Sequence, residues 1–342
     1  MPKRALVTGG AGFIGSHVAE LYHEHGYEVT VVDNLASGDR DNVPAAAEFH
    51  ELDVTSPDAA ALVRGGAFDV ISHLAAQIDV RKSVTDPLFD ARVNVLGTLN
   101  LIEAVRAAGS KARFIFSSTG GAIYGDFVTP PNREEMPKDP ESPYGIAKLS
   151  AELYLAAYGR LYDLDTVALR YANVYGPRQD PHGEAGVVAI FCNRILDGRP
   201  LTVFGDGRQT RDYVFVKDVA RANLAAAERP LPPRGELDAR AFNVGTGVET
   251  SVLALAESLS RAAGSAAPVE HAPARAGELQ RSAVAIDKAS SALGWRPEVR
   301  LEDGLRETFA WFAARAGARP RARCNSSPSR ATSSPPPRGR WW

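Results

Sequence analysis

Two side chains able to handle a proton stand four residues apart in Tyr144-Gly-Ile-Ala-Lys148, in a stretch whose helix signal begins near Pro143. On a helix that spacing puts both on one face. A phenol of ordinary pKa, about 10, is a poor base at neutral pH; an ammonium and a second positive charge beside it favour the phenolate and bring it into working range. The spacing alone fits two solvated surface residues equally well. Upstream, Ser117-Ser118-Thr119-Gly120-Gly121 offers hydroxyls that could donate to the oxygen whose proton Tyr144 takes, or that could cap a turn.

A second kind of chemistry is written near the start of the chain. Residues 8 to 16 read Thr-Gly-Gly-Ala-Gly-Phe-Ile-Gly-Ser, with Gly9, Gly12 and Gly15 at every third position. After a strand and before a helix, such a loop lets a pyrophosphate approach free N–H groups at the positive end of the helix dipole. No Lys-Ser/Thr pair closes the loop, which argues against an ATP-type P-loop. Asp33 follows the next apolar run, where a carboxylate would accept from adenosine ribose hydroxyls and repel a 2′-phosphate. The cofactor expected is therefore NAD and not NADP. Asp53-Val54 could bracket the adenine, or Asp53 could simply hold a turn. Small residues in the run Leu74, Ala75, Ala76 and Gln77 leave room for a cofactor's backbone, and the preceding His73 reads as a hydrogen-bonded core residue, not a catalyst.

The elements that must position these groups alternate regularly. Strands are expected at 4–8, 28–32, 48–52, 70–73, 113–116 and 166–170, with helices at 13–25, 87–108 and 143–161 between them. Successive β-α-β units imply a Rossmann-type doubly wound parallel sheet, whose right-handed crossovers gather the loops after each strand on one edge. Beyond Tyr171 the alternation breaks, and helices are expected at 186–196, 217–228, 252–263 and 301–314, with a surface loop at 229–240. This predicts an NAD-binding domain over 1–170, to which 213–245 returns, and a smaller mixed α/β lobe over 171–314 that binds substrate.

Composition limits the remaining options. The chain has 342 residues, 44% hydrophobic and 23% charged, with 39 basic against 41 acidic side chains. That is an ordinary globular balance and not that of a general nucleic-acid binder. Cys192 and Cys324 are too few for a disulfide framework or a thiolate metal site, so no metal is expected and a reducing compartment suits the chain. No apolar run is long enough to span a bilayer, and Lys3-Arg4 leads straight into a short apolar run and the glycine loop. A cytoplasmic protein with no membrane partner is expected. Residues 320–342 hold five Pro, five Ser and five Arg and no Leu, Ile, Val or Phe, which predicts a disordered basic tail over 315–342.

Taken together, these motifs resemble the extended short-chain dehydrogenase/reductases, and among them the UDP-glucose (UDP-galactose) 4-epimerases. The likeness runs from about Arg4 to Phe312. It rests on 8–16, Asp33-Asn34-Leu35, 73–77, Asn94-Val-Leu-Gly-Thr98, Ser117 to Gly125, Ser142 to Lys148, Arg170 to Gly176, and Phe204-Gly-Asp-Gly-Arg208 leading to Arg211-Asp-Tyr213. The resemblance implies Tyr144 as base, Lys148 as its electrostatic partner, and Thr119 as hydroxyl partner with Ser118 in support. The family's serine often occupies the position that is Gly120 here. It implies cofactor contacts from Gly9, Gly12, Phe13, Ile14, Asp33, Asn34, Ser37, Gly38, Asp53, Val54, Leu74, Ala75, Ala76, Gln77, Asn94, Ser117, Tyr144, Lys148, Tyr171 and Val174. Substrate contacts are implied for Ser118, Thr119, Tyr144, Asn173, Val187, Val188, Val203, Phe204, Arg211, Tyr213, Arg275, Glu278 and Ser282. Within these, Arg211 and Arg275 would take the diphosphate and Glu278 the uridine ribose, as guanidinium forks and carboxylates do.

The chemistry implied is oxidation at the sugar's C4′, rotation of the keto sugar about its anchored diphosphate, and return of the hydride to the opposite face. Dehydratases of the family carry Asp-Glu, and decarboxylases a Glu, where this chain has Gly120-Gly121, which favours epimerisation. A non-catalytic NAD-binding protein on the same fold is the alternative from another class. Ser282, seven past Arg275, would gate the space at the sugar's 2-position and admit N-acetylated sugars. The resemblance also implies a homodimer, paired through helices at 94–105 and 152–161.

Overall fold

The computed structural model describes residues 1–181, 186–274 and 279–318. In the first half the chain runs β1 (Arg4–Thr8), α1 (Phe13–Glu24), β2 (Glu28–Asp33), β3 (Glu48–Glu51), α2 (Pro57–Gly65), β4 (Val70–His73), α3 (Val80–Thr85), α4 (Pro87–Ala91), a π turn (Arg92–Leu96), α5 (Gly97–Ala107), β5 (Arg113–Thr119), α6 (Pro143–Tyr162) and β6 (Thr166–Tyr171). It continues through β7 (Asn173–Tyr175), α7 (Val187–Leu196), β8 (Leu201–Phe204), β9 (Thr210–Arg211), β10 (Tyr213–Phe215), α8 (Val216–Glu228), β11 (Ala241–Val244), β12 (Thr250–Ser251), α9 (Val252–Ala262), β13 (Val269–Ala272), α10 (Asp287–Leu293) and α11 (Leu301–Ala318).

Seven strands form one parallel sheet in the order β11-β6-β5-β4-β1-β2-β3. Alternation along each strand divides the apolar side chains between two cores. Ala5 and Val7 of β1, Ile115 of β5 and Val167 and Leu169 of β6 face α1 and α8. Leu6, Phe114, Phe116 and Ala168 face α2, α5 and α6 on the other side. Both faces are thus covered, which is why these strands read as unbroken apolar runs. Each fully buried large apolar side chain contributes roughly 1.5–3 kcal/mol. The order reverses between β1 and β4, and the crevice outside their carboxyl ends is where such a sheet binds ligands.

Beyond β6 the strands are short and pair two by two, β7 with β10, β8 with β13 and β9 with β12. The inner faces of α7, α9 and α11 close a separate core around Phe191, Leu255, Leu259 and Phe312. The strand over 241–244 joins the large sheet beside β6.

The helix expected over 87–108 is interrupted by the π turn. There Thr98 Oγ1 donates to the Asn94 carbonyl at 2.8 Å, and the Asn94 side chain is engaged by Gln77 and Asp90. β5 runs three residues past its expected end because Ser117 to Thr119 stay paired with Leu169 to Tyr171. Among the described residues no helix is long and apolar enough to cross a membrane. The expected tail falls almost wholly outside the described residues.

Candidate active site

The glycine loop leads β1 into α1, with Gly12 as N-cap and no side chain over the first turn's free N–H groups. Its glycines are required by contact. A Cβ on Gly9 would lie 2.7 Å from the Ala75 nitrogen, and one on Gly15 would lie 2.1 Å from the Gly9 carbonyl oxygen. Phe13 and Ile14 are half-buried in that first turn. The chain after β4 passes beside the loop, with Leu74, Ala75 and Ala76 half-buried and Gln77 buried. Ala75 donates its N–H to the Thr8 hydroxyl at 3.2 Å, and Ala76 adds only a methyl group to this wall. The cradle is thus bare backbone at a helix N-terminus, suited to a pyrophosphate.

Asp33 closes one side. Its carboxylate accepts from the backbone N–H of Ala11 at 3.0 Å and of Leu35 at 2.8 Å, and Gly38 lies against it. Asn34 donates to Asp53 at 3.0 Å, while Thr55 gives Asp53 both its N–H and its hydroxyl. Burial opposes ionisation of Asp53, but the Thr55 and Asn34 hydrogen bonds outweigh it and lower its pKa. Ser37 is exposed on the rim and Val54 is buried. His73 is a core residue, as its sequence context suggests: its ring nitrogens meet the Thr8 and Thr98 hydroxyls at 2.7 and 3.0 Å, and burial pushes its pKa down to about 3.

Tyr144 and Lys148 lie in the first turns of α6, whose start is fixed by Ser142 accepting from the Gly145 N–H and by Pro143 at the first helical position. Lys148 is buried, and its Nζ donates to the Ser117 carbonyl at 2.9 Å and lies 6.0 Å from the centre of the half-buried Tyr144 ring. Burial pushes the phenol above its ordinary value and the Asp90 charge adds to that. Burial pushes Lys148 down to about 8, with Asp90 and Glu152 acting in the opposite sense. The protein's own groups therefore hold the phenol neutral at neutral pH.

Three of the expected substrate contacts converge on one point. The position a Cβ would occupy on Gly121 is 3.7 Å from Asn173 Oδ1, 3.9 Å from Thr119 Oγ1 and 4.0 Å from Ser282 Oγ. Ser118 does not join them. Alternation along β5 turns it to the other side, where its hydroxyl donates to Glu152. This corrects the expectation that its hydroxyl supports Thr119 in the cleft. Gly120 has no room for a side chain, since a Cβ there would sit 2.7 Å from Val284 Cγ1 and 3.2 Å from the Arg170 carbonyl oxygen.

The other expected residues are more dispersed. Tyr171 is buried with its phenol toward Asn223, and the Val174 carbonyl accepts from Gln179. Val188 and Val203 are 1% and 0% exposed in the core between α7, α9 and α11, so their side chains offer no surface to a ligand, contrary to expectation; packing of α7 and β8 claims them. Val187 and Phe204 are half-buried nearby, and Tyr213 is buried on β10 opposite Asn173. Arg211 lies half-buried on β9. Arg275 and Glu278 lie outside the described residues.

A buried ion pair behind the cleft escaped the sequence. Arg170, wholly buried, meets Glu152 Oε2 at 2.6 Å, Asp238 at 2.7 Å, and the Tyr124 hydroxyl and Glu134 carbonyl at 3.1 Å. Ser118 and Tyr124 are both tied to this network and flank Thr119, Gly120 and Gly121 in sequence.

Residues 5–245 match the model of the NAD dependent epimerase/dehydratase family. The chain belongs to that family. A UDP-glucose 4-epimerase of Mycolicibacterium smegmatis is 46% identical over 314 residues, covering 90% of this chain and 98% of the relative. Among solved structures, a UDP-glucose 4-epimerase of Thermotoga maritima with UDP-glucose superposes with a TM-score of 0.86 at 46% identity, covering 92% of this chain and 99% of that one. One from Thermus thermophilus in complex with NAD gives 0.83 at 46%, covering 91% and 99%. For a member of an NAD dependent family, the cradle over 8–16 and Asp33 supply the donors and the acceptor that such a cofactor requires.

Proposed function

We propose that this epimerase interconverts UDP-glucose and UDP-galactose by NAD-dependent inversion at C4′, acting as an isomerase. The observation that carries this reading is the cluster of Thr119, Asn173 and Ser282 around Gly121, on the same β5 end to which Lys148 is anchored beside Tyr144. The UDP-glucose bound to the Thermotoga relative and the NAD bound to the Thermus relative support the same substrate and cofactor.

Bound NAD supplies a reversible two-electron oxidant for C4′ and a positive charge that lowers the phenol's pKa. Gly9, Gly12, Phe13, Ile14, Asp33 and the backbone of Leu74, Ala75, Ala76 and Gln77 hold it. Tyr144 accepts the 4′-hydroxyl proton and later returns it. Lys148 holds positive charge beside the phenol, fixed by the Ser117 carbonyl. Thr119 donates to the reacting oxygen, Asn173 and Ser282 border the sugar, and Arg211 meets the diphosphate. Most of the protein's contribution is positioning and pKa tuning. A dehydratase reading is disfavoured because Gly120 cannot accept a side chain without moving Val284 or backbone.

An unacetylated or N-acetylated sugar is admitted beside the small Ser282. The domain reading stands as a proposal too: 1–170 with 213–245 for the cofactor, the rest mainly for substrate. We infer a homodimer formed through the exposed apolar side chains of Leu96, Leu153, Tyr154 and Leu161. Replacement Tyr144→Phe tests the mechanism. It should abolish epimerisation while the purified protein still carries NAD; undiminished turnover would remove Tyr144 from the reaction.

A further inference from the structure

The short helix α4 carries a carboxylate that belongs to none of the motifs. Asp90 is 1% exposed. Its Oδ1 accepts from Gln77 Nε2 at 2.9 Å and from Asn94 Nδ2 at 3.0 Å. Its Oδ2 is buried with no hydrogen-bond partner among the described residues. A half-satisfied buried carboxylate opposes folding, so its presence points to a use other than stability.

The surroundings indicate that use. α4 packs on α6, the helix of Tyr144 and Lys148. Burial raises the Asp90 pKa, while Gln77, Lys148 and Asn94 each favour its carboxylate; the charge in turn favours the Lys148 ammonium and disfavours the Tyr144 phenolate. From α6 the ionisable groups facing it are Tyr144 and Lys148, with Glu152 one turn on also acting on Lys148. The loop after β4 and the π turn face it with the neutral Gln77 and Asn94. Arg92 of the π turn and Arg81 and Lys82 of α3 are exposed, the last lying over the Phe89 ring at 4.3 Å.

We propose that Asp90 is a positioning residue for the proton-transfer pair: one oxygen fixes Gln77 and Asn94 in the cofactor cradle, and the charge holds Lys148 as an ammonium beside Tyr144. This rests on the reading of Tyr144 as base. The sign follows directly. Loss of the charge makes the phenol easier to ionise and the ammonium easier to deprotonate, so both limbs of the pH–rate profile move toward acid together.

The test measures UDP-galactose to UDP-glucose turnover across the pH range for the full chain with its bound NAD, in wild type, Asp90→Asn, Asp90→Ser and Asp90→Glu. In Asn and Ser, two neutral variants of different shape, both limbs should fall by about one unit. Glu should return them to the wild-type positions, and NAD content should be kept in Asn and Glu, which retain an oxygen for Gln77 and Asn94, and fall in Ser, which does not. Limbs that stay in place while the maximum falls would mean a merely structural role and overturn the proposal, as would Glu behaving like Asn. Absence of wild-type turnover would instead overturn the reading of Tyr144, and this proposal with it.

Discussion

Replacing Arg170 by Met breaks the buried network behind the cleft, and the structure sets the size of the effect. Glu152 is 1% exposed and would keep only the Ser118 hydroxyl as hydrogen-bond partner and the more distant Lys148 charge, leaving a buried carboxylate without its paired guanidinium. Asp238 would retain Lys138 at 2.5 Å, and the Tyr124 hydroxyl would retain Asn243 at 2.9 Å, so the main loss is at Glu152. Breaking a buried pair in this way costs about 3–5 kcal/mol, a fall in Tm of roughly 4–7 °C for a chain of this size. Glu152→Met with Arg170→Met removes both charges, so the double variant should cost clearly less than the sum of the single changes. Because Ser118 and Tyr124 flank Thr119, Gly120 and Gly121, the Arg170 variant should also lose kcat while keeping its NAD. Denaturant titration with a turnover assay reads both effects. A loss under about 1 kcal/mol for Arg170→Met, or strict additivity in the double variant, would refute the reasoning.

Three further outcomes follow from named contacts. Gly15→Ala puts a methyl 2.1 Å from the Gly9 carbonyl oxygen and should strip NAD from the purified protein, whereas Gly65→Ala, with nothing within 4 Å, should retain it; absorbance of the protein-bound cofactor reads both. His17 is buried with its pKa down to about 4, mainly through burial, and Nε2 lies 3.1 Å from the Pro177 carbonyl oxygen. The unfolded chain takes this proton near pH 6.5 and the folded one does so only near pH 4, so stability is lost as pH falls across that window, on the order of 3 kcal/mol in total. His17→Gln should flatten that part of the stability curve in denaturant titrations at successive pH values. Ser282→Tyr fills the space opposite Thr119 and Asn173 and should suppress turnover of UDP-N-acetylgalactosamine far more than of UDP-galactose; equal activity on both would remove Ser282 as the gate.

Local sequence carries the cofactor half well because its signals are local. Glycines at every third position, a strand before them and a carboxylate after the next strand are close in sequence and meet each other, as Gly15 meets Gly9 and Ala11 meets Asp33, while only the Gly9–Ala75 approach reaches further along the chain. The helix α2 starts at its Ser56 cap and Pro57 but is short and buries only Ala59, Ala60 and Val63, too few apolar positions to mark a helical period. The π turn at Asn94 depends on Gln77 and Asp90, which no periodicity reveals. Ser118 and Thr119 are distinguishable by strand alternation only once β5 is known to reach Thr119, and that extension is set by pairing with β6. Arg170 sits within a recognisable motif, yet its partners come from 124, 134, 152 and 238, which only the folded chain brings together. The short strands β7 to β10 have no pattern of their own and exist because tertiary pairs form.

The most direct measurement is to incubate the purified protein with UDP-galactose without added cofactor and follow the appearance of UDP-glucose, with Tyr144→Phe beside it. Conversion by the wild type and none by the NAD-bearing variant is the predicted result. No conversion by the wild type, even with NAD supplied, would contradict the assignment.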